Sequence, residues 1–305
     1  MDFPREFIES VHRVFGDQGR AWLPRLPGLI ADCREKWSLD DGVMCSVARM
    51  NYIELTTTEA GDPVVLKIGV PNPELFTEME ALRLYGGRRA VTLLGSDAEL
   101  GAILMRRLQP GTMLWQLGDN REEARIAASI MRELCVPVPP SHGLPTFAGW
   151  VERAFRLTRT QWDPQELMPR DLIDRAEAAF EEILHSSNGD VVLHGDLHHE
   201  NILLDSESGW TAIDPKGVVG PHCLEVGRFL QNQLPDTLTA ERRESLVRER
   251  LDVLGLELAL PRRMLIASGL VDCVLSHCWH FEEESGIDAA WHRGIELARI
   301  YRDML

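Results

Sequence analysis

The sequence predicts an α+β protein of two lobes, a small N-terminal lobe with an antiparallel sheet and a larger, mainly helical C-terminal lobe. Short segments rich in β-branched residues, separated by turn residues, fill most of the chain up to about residue 107. Apolar residues at helical spacing dominate the remainder. No internal repeat is present, which argues against a solenoid. We therefore expect one lobe over residues 1–107 and a second over 108–305.

The bulk composition indicates a globular chain and narrows its partners. Of the 305 residues, 44% are hydrophobic and 26% are charged, which is enough to bury a sizeable core. The formal charge of -16 argues against a nucleic-acid partner, because phosphate binding requires a basic face. The same charge suits a cationic small molecule, although acidic surfaces also serve solubility alone.

Three observations favour a cytoplasmic protein that is not associated with a membrane. The six cysteines form no CxxC pair, so neither a zinc knuckle nor a redox motif is indicated. The N-terminus, MDFPREFIES, carries acidic residues where a signal peptide needs a basic end. The most apolar later stretch, MLIASGLVDCVLSHCW, is interrupted by Asp272 and is shorter than the ~20 residues of a membrane span.

The elements of the first lobe follow from local patterns. Residues 3–15 have the apolar spacing of a short amphipathic helix. The segments SVARMNYIELTTT and DPVVLKIGV predict a hairpin around EAGD, with Lys67 in its second strand. PNPELFTEMEALRLYGG predicts one helix that ends at the glycine pair. AVTLLGSDAELGAILMRRL predicts two more strands, after which QPGT breaks the pattern and places the lobe boundary near Leu108.

The second lobe begins with a predicted helix, NREEARIAASIMRELC, for which Asn120 and Glu123 form a capping pair. DLIDRAEAAFEEILHSS predicts a further amphipathic helix, and the tail from about Leu238 predicts three more. Between them, VVLHG, NILL and WTAID predict short strands. The polar residues of VVLHGDLHHENILLDSESGWTAIDPKG therefore lie on a loop and at strand ends, where a rigid frame holds them in place.

These polar residues have the spacing that phosphoryl transfer requires. The reaction needs metal ions at the phosphates, oxygen ligands for those ions, and a carboxylate that orients the attacking hydroxyl. Asp196 opens the loop, Asn201 follows five positions later, and Asp214 lies thirteen positions beyond Asn201. The protein-kinase pattern H-R-D-L-x-x-x-N followed by D-F-G has the same Asp-to-Asn spacing, here written HGDLHHEN and DPKG.

A kinase pattern also requires a lysine on a strand and a glutamate on the following helix. VVLKI supplies Lys67, and TEMEALRLY supplies Glu78 or Glu80. The residues alone leave this choice open, although the spacing E-x-x-A-L favours Glu78. A lysine near a strand end is more often solvated than functional. The functional role of Lys67 is therefore inferred from the downstream motif.

Five segments carry a resemblance to a known family: VLKIG, EALRLY, LMRRLQPGT, VVLHGDLHHENILL and AIDPKGVVG. They resemble the aminoglycoside phosphotransferase family of small-molecule kinases, within it the streptomycin 6-phosphotransferase and hydroxyurea-resistance kinase group. The resemblance extends from about residue 40 to residue 285. It implies a protein-kinase-like fold with a nucleotide-binding first lobe and a catalytic, substrate-binding second lobe. It also implies transfer of the γ-phosphate from ATP to a small molecule, with Mg²⁺ as cofactor.

The resemblance implies a role for each matching residue. Asp196 would be the catalytic base or orienting carboxylate. Asn201 and Asp214 would hold the magnesium ion. Lys67 would contact the ATP phosphates, with Glu78 as its partner.

Further positions are implied by the same resemblance. Backbone groups around Arg106 to Leu108 would bind the adenine, and His194 would brace the catalytic loop. Family members generally carry an aspartate where PHCLEVG has Glu225, and the longer acid would brace the loop in the same way. DPKG lacks the phenylalanine of D-F-G and no A-P-E segment follows, which implies a constitutively active enzyme.

The acceptor contacts are the least determined. Trp279, Glu282, Glu283 and Glu284 would form an aromatic and acidic wall for a guanidinium or ammonium acceptor. His198 adjoins the site and would be a further acceptor contact. The run CWHFEEESG fits a solvated helix end equally well.

Alternatives to an antibiotic kinase follow from the same residues. A metal hydrolase would use His194, Asp196, His198 and His199 as ligands. However, the chain has neither an H-x-H-x-D-H nor an H-E-x-x-H arrangement, and this alternative leaves Asn201 unexplained. A kinase of a sugar or amino-alcohol would keep the whole mechanism with another acceptor. A non-catalytic nucleotide-binding pseudokinase is disfavoured, because four residues that the reaction requires are intact: Lys67, Asp196, Asn201 and Asp214.

Overall fold

The chain divides into two compact units, Met1–Gln109 and Pro110–Leu305. The computed structural model describes residues 3–45, 50–163, 167–235, 237–282 and 289–305, without the side chains at positions 162, 282, 289 and 290. Assignment of nucleotide binding to the first unit and of catalysis to the second stays a prediction.

Within its described residues, the first unit contains an antiparallel sheet and three α-helices. Its elements are α1 (Arg5–Trp22), α2 (Leu26–Trp37), β1 (Val43–Met44), β2 (Tyr52–Thr57), β3 (Pro63–Ile68), α3 (Pro73–Tyr85), β4 (Leu93–Asp97) and β5 (Ala102–Arg106). The strands pair in the order β1-β2-β3-β5-β4, and every pairing is antiparallel. Both predicted hairpins, β2 with β3 and β4 with β5, are confirmed.

The helix that follows β3 has caps at both ends. The side chain of Asn72 accepts hydrogen bonds from the backbone N–H groups of Glu74 and Leu75 at the N-terminus. Gly86 adopts a left-handed φ of 57° at the C-terminus, which a glycine tolerates without strain. These caps confirm the predicted helix and fix which of its residues face the sheet.

The N-terminal helical region is longer than the sequence predicted. We expected one helix over residues 3–15, but α1 continues to Trp22 across a kink at Gly16, and α2 follows it. The prediction was wrong because the polar segment after Phe15 hides the continuation. The indole of Trp22 packs against Phe7, with ring centroids 6.4 Å apart, and both belong to the apolar core of this unit.

The second unit is mainly helical. Its elements are β6 (Pro110–Met113), α4 (Asn120–Glu133), β7 (Val136–Pro137), α5 (Phe147–Leu157), α6 (Arg170–Ser186), β8 (Asp190–Leu193), β9 (Ile202–Asp205), β10 (Gly209–Ala212), β11 (Val218–Pro221), α7 (Val226–Gln231), α8 (Ala240–Leu258), α9 (Arg262–Glu282) and α10 (Ala289–Met304). Two small antiparallel sheets have the orders β10-β9-β6 and β11-β8-β7. The three predicted strands of the polar stretch correspond to β8, β9 and β10.

The segment QPGT forms a strand, contrary to the expected break in the pattern. Its residues from Pro110 to Met113 pair with β9, and the register shifts between Pro110 and Thr112. Proline is tolerated as the first residue of a strand, and the irregular register accommodates the positive φ of Gly111.

Helix α9 is the central helix of the second unit and packs against α5, α6, α7, α8 and α10. The expectation that this apolar segment is too short for a membrane span was wrong, because Arg262–Phe281 meets that criterion by length and composition. However, 78% of its apolar window is buried inside the protein, as in the core helix of a globular domain.

The N-terminus of α4 is capped by Asp119, and the predicted capping pair was wrong. The carboxylate of Asp119 accepts from the backbone N–H groups of Arg121 and Glu122 at 3.0 and 3.1 Å. Glu123 instead accepts from the backbone N–H of Gly118 at 3.0 Å. The cap therefore lies one residue earlier than the sequence pattern indicated.

Asn120 does not cap the helix, because its side chain is hydrogen-bonded to a buried arginine. The Nε atom of Arg250 donates to the Asn120 side-chain oxygen at 2.7 Å, and Asn120 donates to Glu249. The guanidinium also donates to the carbonyls of Phe229 and Asn232. A fully buried cation requires such partners, and they outweigh a local cap.

Replacing Asp119 with alanine is expected to lower the free energy of unfolding by about 1 kcal/mol, because two backbone N–H groups lose their acceptor. The control is Glu122→Ala in the same helical turn, whose carboxylate makes only an exposed pair with Arg125 and should cost about 0.5 kcal/mol or less. Urea unfolding of both variants measures the difference. Equal losses would contradict the assigned cap.

Candidate active site

Lys67 and Glu78 form a buried ion pair within the first unit. Lys67 lies on β3 between Ile53 and Ile103 of the neighbouring strands. Its Nζ atom is 2.8 and 2.7 Å from the two carboxylate oxygens of Glu78 on α3. The structure thus pairs Lys67 with Glu78, the glutamate that the spacing favoured. A buried pair of this kind adds little to stability, but it fixes the ammonium group in one place.

The segment expected to bind adenine follows β5. The backbone N–H of Arg106 donates to the carbonyl of Thr92 at 3.0 Å, and that of Arg107 donates to the carbonyl of Pro63 at 3.1 Å. Leu108 is buried. These bonds anchor the segment to the sheet, and its role in nucleotide binding stays a prediction.

In the second unit, His194 follows β8 and connects the two halves of the polar stretch. Its Nε2 atom lies 2.8 Å from the carbonyl oxygen of Ile213, and its Nδ1 atom accepts from the backbone N–H of Asp196 at 3.3 Å. A carbonyl only accepts, so the proton lies on Nε2. Burial lowers the pKa of His194 to about 4, which keeps the ring neutral. These are the contacts of a brace.

Glu225 holds the same loop from the other side. Its carboxylate accepts from the backbone N–H groups of His194 at 2.6 Å and Gly195 at 3.1 Å. Burial raises the pKa of Glu225 to about 7, while these two hydrogen bonds act in the opposite direction. Gly195 has a φ of 76°, and a Cβ atom there would lie 2.8 Å from Val218. The loop conformation thus depends on both the glycine and the acid.

The β9–β10 hairpin brings Asn201 and Asp214 to the same end. Ile202 pairs with Ala212, and the backbone N–H of Ile213 donates to the carbonyl of Asn201 at 2.9 Å. Asp214 comes next, with a left-handed φ of 63° that is uncommon for a residue with a side chain. The Asn201 side-chain amide donates to the Asp196 carbonyl at 3.0 Å. Asp196, Asn201 and Asp214 therefore belong to one connected turn.

The oxygen donors in this turn suit magnesium. Because the Asn201 amide nitrogen bonds to the Asp196 carbonyl, the amide oxygen points away from that carbonyl. One amide oxygen and one carboxylate, from Asn201 and Asp214, match a Mg²⁺ ion that takes its other ligands from water and phosphate. Within the described residues, no group of three or more His, Cys, Asp or Glu side chains is placed to hold a metal, so the metal-hydrolase alternative gains no support.

Two of the expected acceptor contacts lie in described parts of the second unit. The Nε2 atom of His198 is 3.9 Å from Oδ2 of Asp196, and burial lowers the pKa of His198. Trp279 on α9 meets Trp150 edge to face, with centroids 5.3 Å apart. The side chain of Glu282 and the whole of Glu283 and Glu284 lie outside the described residues.

Sequence reasoning missed two charged residues beside Asp196. The Nε atom of Arg228 on α7 lies 3.1 Å from Oδ1 of Asp196 and 3.7 Å from Oδ2 of Asp272 on α9. Both charges interrupt apolar helical stretches, and a charged residue in such a position is paired or functional. The sequence shows these charges within apolar stretches, but it does not show which residue each of them pairs with.

The geometry agrees with comparisons to known proteins. The family model for aminoglycoside/hydroxyurea antibiotic resistance kinases matches residues 36–284. The chain belongs to this family. It is 31% identical to streptomycin 6-kinase of Streptomyces griseus, covering 92% of this chain and 91% of that protein. It is also 31% identical to hydroxyurea phosphotransferase of Kitasatospora aureofaciens, covering 98% of this chain and 86% of that protein.

Solved structures confirm the predicted protein-kinase-like fold. Choline kinase LicA from Streptococcus pneumoniae has a TM-score of 0.64 at 12% identity, over 90% of this chain and 99% of that one. A variant of aminoglycoside phosphotransferase APH(4)-Ia, in a ternary complex with ADP and hygromycin B, has a TM-score of 0.59 at 17% identity, over 89% and 97%. With the family membership, the chain is an ATP-dependent phosphotransferase, as predicted.

Replacing His194 with asparagine is expected to weaken the dependence of stability on pH. The histidine pKa is 6.5 ordinarily and about 4 in the fold, so the unfolded chain takes up its proton first as the pH falls. The resulting stabilisation is complete above pH 6.5 and is lost as the pH falls toward 4. Between about pH 6.5 and pH 5 the loss is roughly 2 kcal/mol.

Urea unfolding at about pH 7 and pH 5 measures this difference for the wild type and the variant. His142→Asn is the control, because His142 is exposed. An unchanged pH dependence in His194→Asn would contradict the buried, neutral state of this ring.

Proposed function

We propose that this protein transfers the γ-phosphate of ATP to a hydroxyl group of streptomycin or a related aminocyclitol. The connected turn that contains Asp196, Asn201 and Asp214 supports this proposal, because it would supply a carboxylate and two oxygen donors for a metal ion in one frame. Membership of the antibiotic resistance kinase family supports the reaction class. The names of the relatives support the acceptor class.

Asn201 and Asp214 would hold the magnesium ion. When bound, the ion would supply positive charge that neutralises the charge developing on the transferred group. The hydrogen bond from the Asn201 amide to the Asp196 carbonyl keeps the ligand set and the catalytic residue in register.

Lys67 would contact the ATP phosphates, and the Glu78 carboxylate holds its ammonium group in place. The main chain from Arg106 to Leu108 would bind the adenine. Lys67 lies on the sheet of the first unit, and backbone hydrogen bonds of Arg106 and Arg107 anchor the adjoining segment to it, which suits a nucleotide site that must not reorganise during the reaction.

Asp196 would orient the acceptor hydroxyl and accept its proton. The acceptor oxygen forms a bond to the γ-phosphorus as the bond between that phosphorus and the ADP oxygen breaks. The proton leaves to the Asp196 carboxylate and then to solvent. The main-chain N–H of Asp196 donates to the His194 ring, and this hydrogen bond fixes the backbone position of the catalytic residue during the transfer.

The acceptor would be a cation. The net charge of -16 attracts cationic molecules over long distances, and His198 offers a polar contact beside Asp196. Trp279 packs against Trp150, whose ring lies 3.3 Å from the Cβ position of Gly195 in the same loop. Glu282 and Glu283 remain predicted acidic contacts. The proposal places the reaction in the cytoplasm, where ATP is available.

Hydroxyurea is a second candidate acceptor. The hydroxyurea phosphotransferase relative aligns over 98% of this chain at the same identity as the streptomycin 6-kinase of Streptomyces griseus. Hydroxyurea is small and neutral, so it would need neither the acidic wall nor long-range attraction. The two candidates therefore differ in how strongly salt should reduce the rate at low acceptor concentration.

The acceptor is determined by magnesium-dependent ADP release and product mass with streptomycin, other aminoglycosides, hydroxyurea, sugars and amino-alcohols. A phosphate-sized mass gain on streptomycin is the expected outcome, with a rate that falls as salt is added. A mass gain on hydroxyurea alone would favour the second candidate. Turnover only on a sugar or an amino-alcohol would contradict the antibiotic assignment and keep the reaction class.

Replacing Asp196 with asparagine is expected to lower kcat by about 10²- to 10⁴-fold, because the amide cannot accept the hydroxyl proton. The affinity for Mg-ATP should change by no more than about 3-fold, since Asp196 is assigned to the acceptor. The matched control is Asp190→Asn at the exposed start of β8, which should leave both quantities unchanged. Near-normal turnover of a folded Asp196→Asn protein would refute the assigned role.

A further inference from the structure

The backbone of Asp196 is fixed on both sides, but these bonds do not orient its carboxylate. The His194 ring accepts from its N–H group, and the Asn201 amide donates to its carbonyl. Rotation about the side-chain bonds remains open, because three staggered positions are available for χ1. A carboxylate that orients a hydroxyl for attack must hold one of these positions.

Arg228 is in contact with that carboxylate. Its Nε atom lies 3.1 Å from Oδ1 of Asp196, and the two side chains are only 19% and 25% exposed. The other oxygen, Oδ2, has no hydrogen-bond partner among the residues that the structure describes, and the His198 ring lies 3.9 Å from it. The Nε–H group of Arg228 makes no hydrogen bond, so Arg228 attracts Oδ1 as an ion pair, and Oδ2 faces no charged partner at a comparable distance among the described residues.

A second carboxylate holds the arginine in turn. Oδ2 of Asp272 lies 3.7 Å from the same Nε atom, and the Asp272 side chain is 6% exposed. The Gln231 amide donates to this Asp272 oxygen and also to the Ser276 hydroxyl at 3.1 Å. The Asp272 carboxylate is therefore held by a side chain from the same short helix as Arg228.

Close packing of α7 against α9 places Arg228 at this position. A Cβ atom at Gly227 would lie 2.5 Å from Cβ of Asp272 and 2.8 Å from the carbonyl oxygen of Ser268. Only glycine permits this approach, and the next residue is Arg228. Glu225, at the start of the same segment, accepts from the backbone of the loop before Asp196. One short segment therefore holds both the backbone and the side chain of the catalytic turn.

We infer that Arg228 is a positioning residue that fixes the carboxylate of Asp196, with Asp272 as its anchor. The inference rests on the proposed function, because that function gives Asp196 its task. Arg228 works through Asp196 and contacts neither ATP nor acceptor in this role. Without it, two carboxylates would share one partly buried region with no cation between them, and Asp196 would turn away from Asp272.

Arg228 keeps its positive charge in this environment. Burial lowers the pKa of its guanidinium, but the carboxylates of Asp272 and Asp196 outweigh that effect, and the pKa is raised above its ordinary value. A lysine would keep a charge but not the planar guanidinium whose Nε atom lies 3.1 Å from Oδ1, and an ammonium group is more strongly hydrated. Arg228→Lys therefore separates geometry from charge.

The test uses the full-length protein with Arg228→Lys, Arg228→Ala and Asp272→Asn. The matched control pair is Arg243→Lys and Arg243→Ala, because Arg243 is a buried arginine on α8 whose bonds go to Glu296 and to the carbonyl of Leu238. Three quantities are measured for each variant: kcat and KM with the acceptor, Mg-ATP hydrolysis with water as the acceptor, and Tm. Guanidinium ion at millimolar concentration is then added to the two alanine variants.

Arg228→Lys is expected to lower kcat by about 10- to 100-fold, as a misplaced catalytic group does. The KM for ATP should change by no more than about 3-fold, because the nucleotide contacts lie elsewhere. Asp272→Asn should lower kcat by a smaller factor in the same direction, and it tests the anchor independently if the arginine variants do not fold. Guanidinium should restore part of the rate of Arg228→Ala and none of that of Arg243→Ala.

Three results would overturn the inference. One is a kcat for Arg228→Lys within about 2-fold of the wild type in a folded protein, since a misplaced group costs far more. Another is an equal fall in kcat for Arg243→Lys, which would show a general loss of stability. The third is an absence of guanidinium rescue together with an unchanged Asp272→Asn. If the wild type phosphorylates no acceptor but hydrolyses Mg-ATP, the proposed function fails, and the hydrolysis rates still decide the role of Arg228.

Discussion

The hydrogen bonds of one buried imidazole join the two motifs on which the catalytic turn depends. His194 binds the carbonyl of Ile213 through Nε2 and the backbone N–H of Asp196 through Nδ1, while its own carbonyl accepts from Lys216 and Gly217. The residues of HGDLHHEN and DPKG are separated along the chain, and this ring holds them together. The bonds require a neutral ring, which burial ensures by lowering the pKa of His194 to about 4.

Around this ring, charged groups are arranged so that each buried charge meets an opposite charge or a hydrogen-bond donor. The Glu225 carboxylate accepts two backbone N–H groups, and Arg228 lies between the carboxylates of Asp196 and Asp272. Buried charges of this kind add little to stability, because their desolvation offsets their attraction. Their value lies in geometry, since each side chain has one arrangement that satisfies its partners. Rigid placement of a carboxylate is what phosphoryl transfer requires of a protein that supplies no covalent chemistry.

Local patterns predicted most elements of the fold, and they failed where a distant residue competed for a local group. The β2–β3 hairpin and α3 were predictable because turn residues and caps are neighbours in sequence. The cap of α4 was misplaced by one residue because Asn120 serves the buried guanidinium of Arg250, which lies on α8. The end of α1 was missed because Trp22 is held by packing against Phe7 rather than by a continuous apolar stripe.

The sequence by itself determined the reaction class and the order of the catalytic groups. The spacing from Asp196 to Asn201 and to Asp214 is fixed by the sequence. The paired strands between Asn201 and Asp214 bring these two residues to the same end of a hairpin. Only the tertiary structure decided that Glu78 accepts from Lys67 and that Arg228 faces Asp196. Both depend on how a helix is placed against a neighbouring element, and that placement arises from packing across the whole unit. Residue spacing within one segment does not encode it.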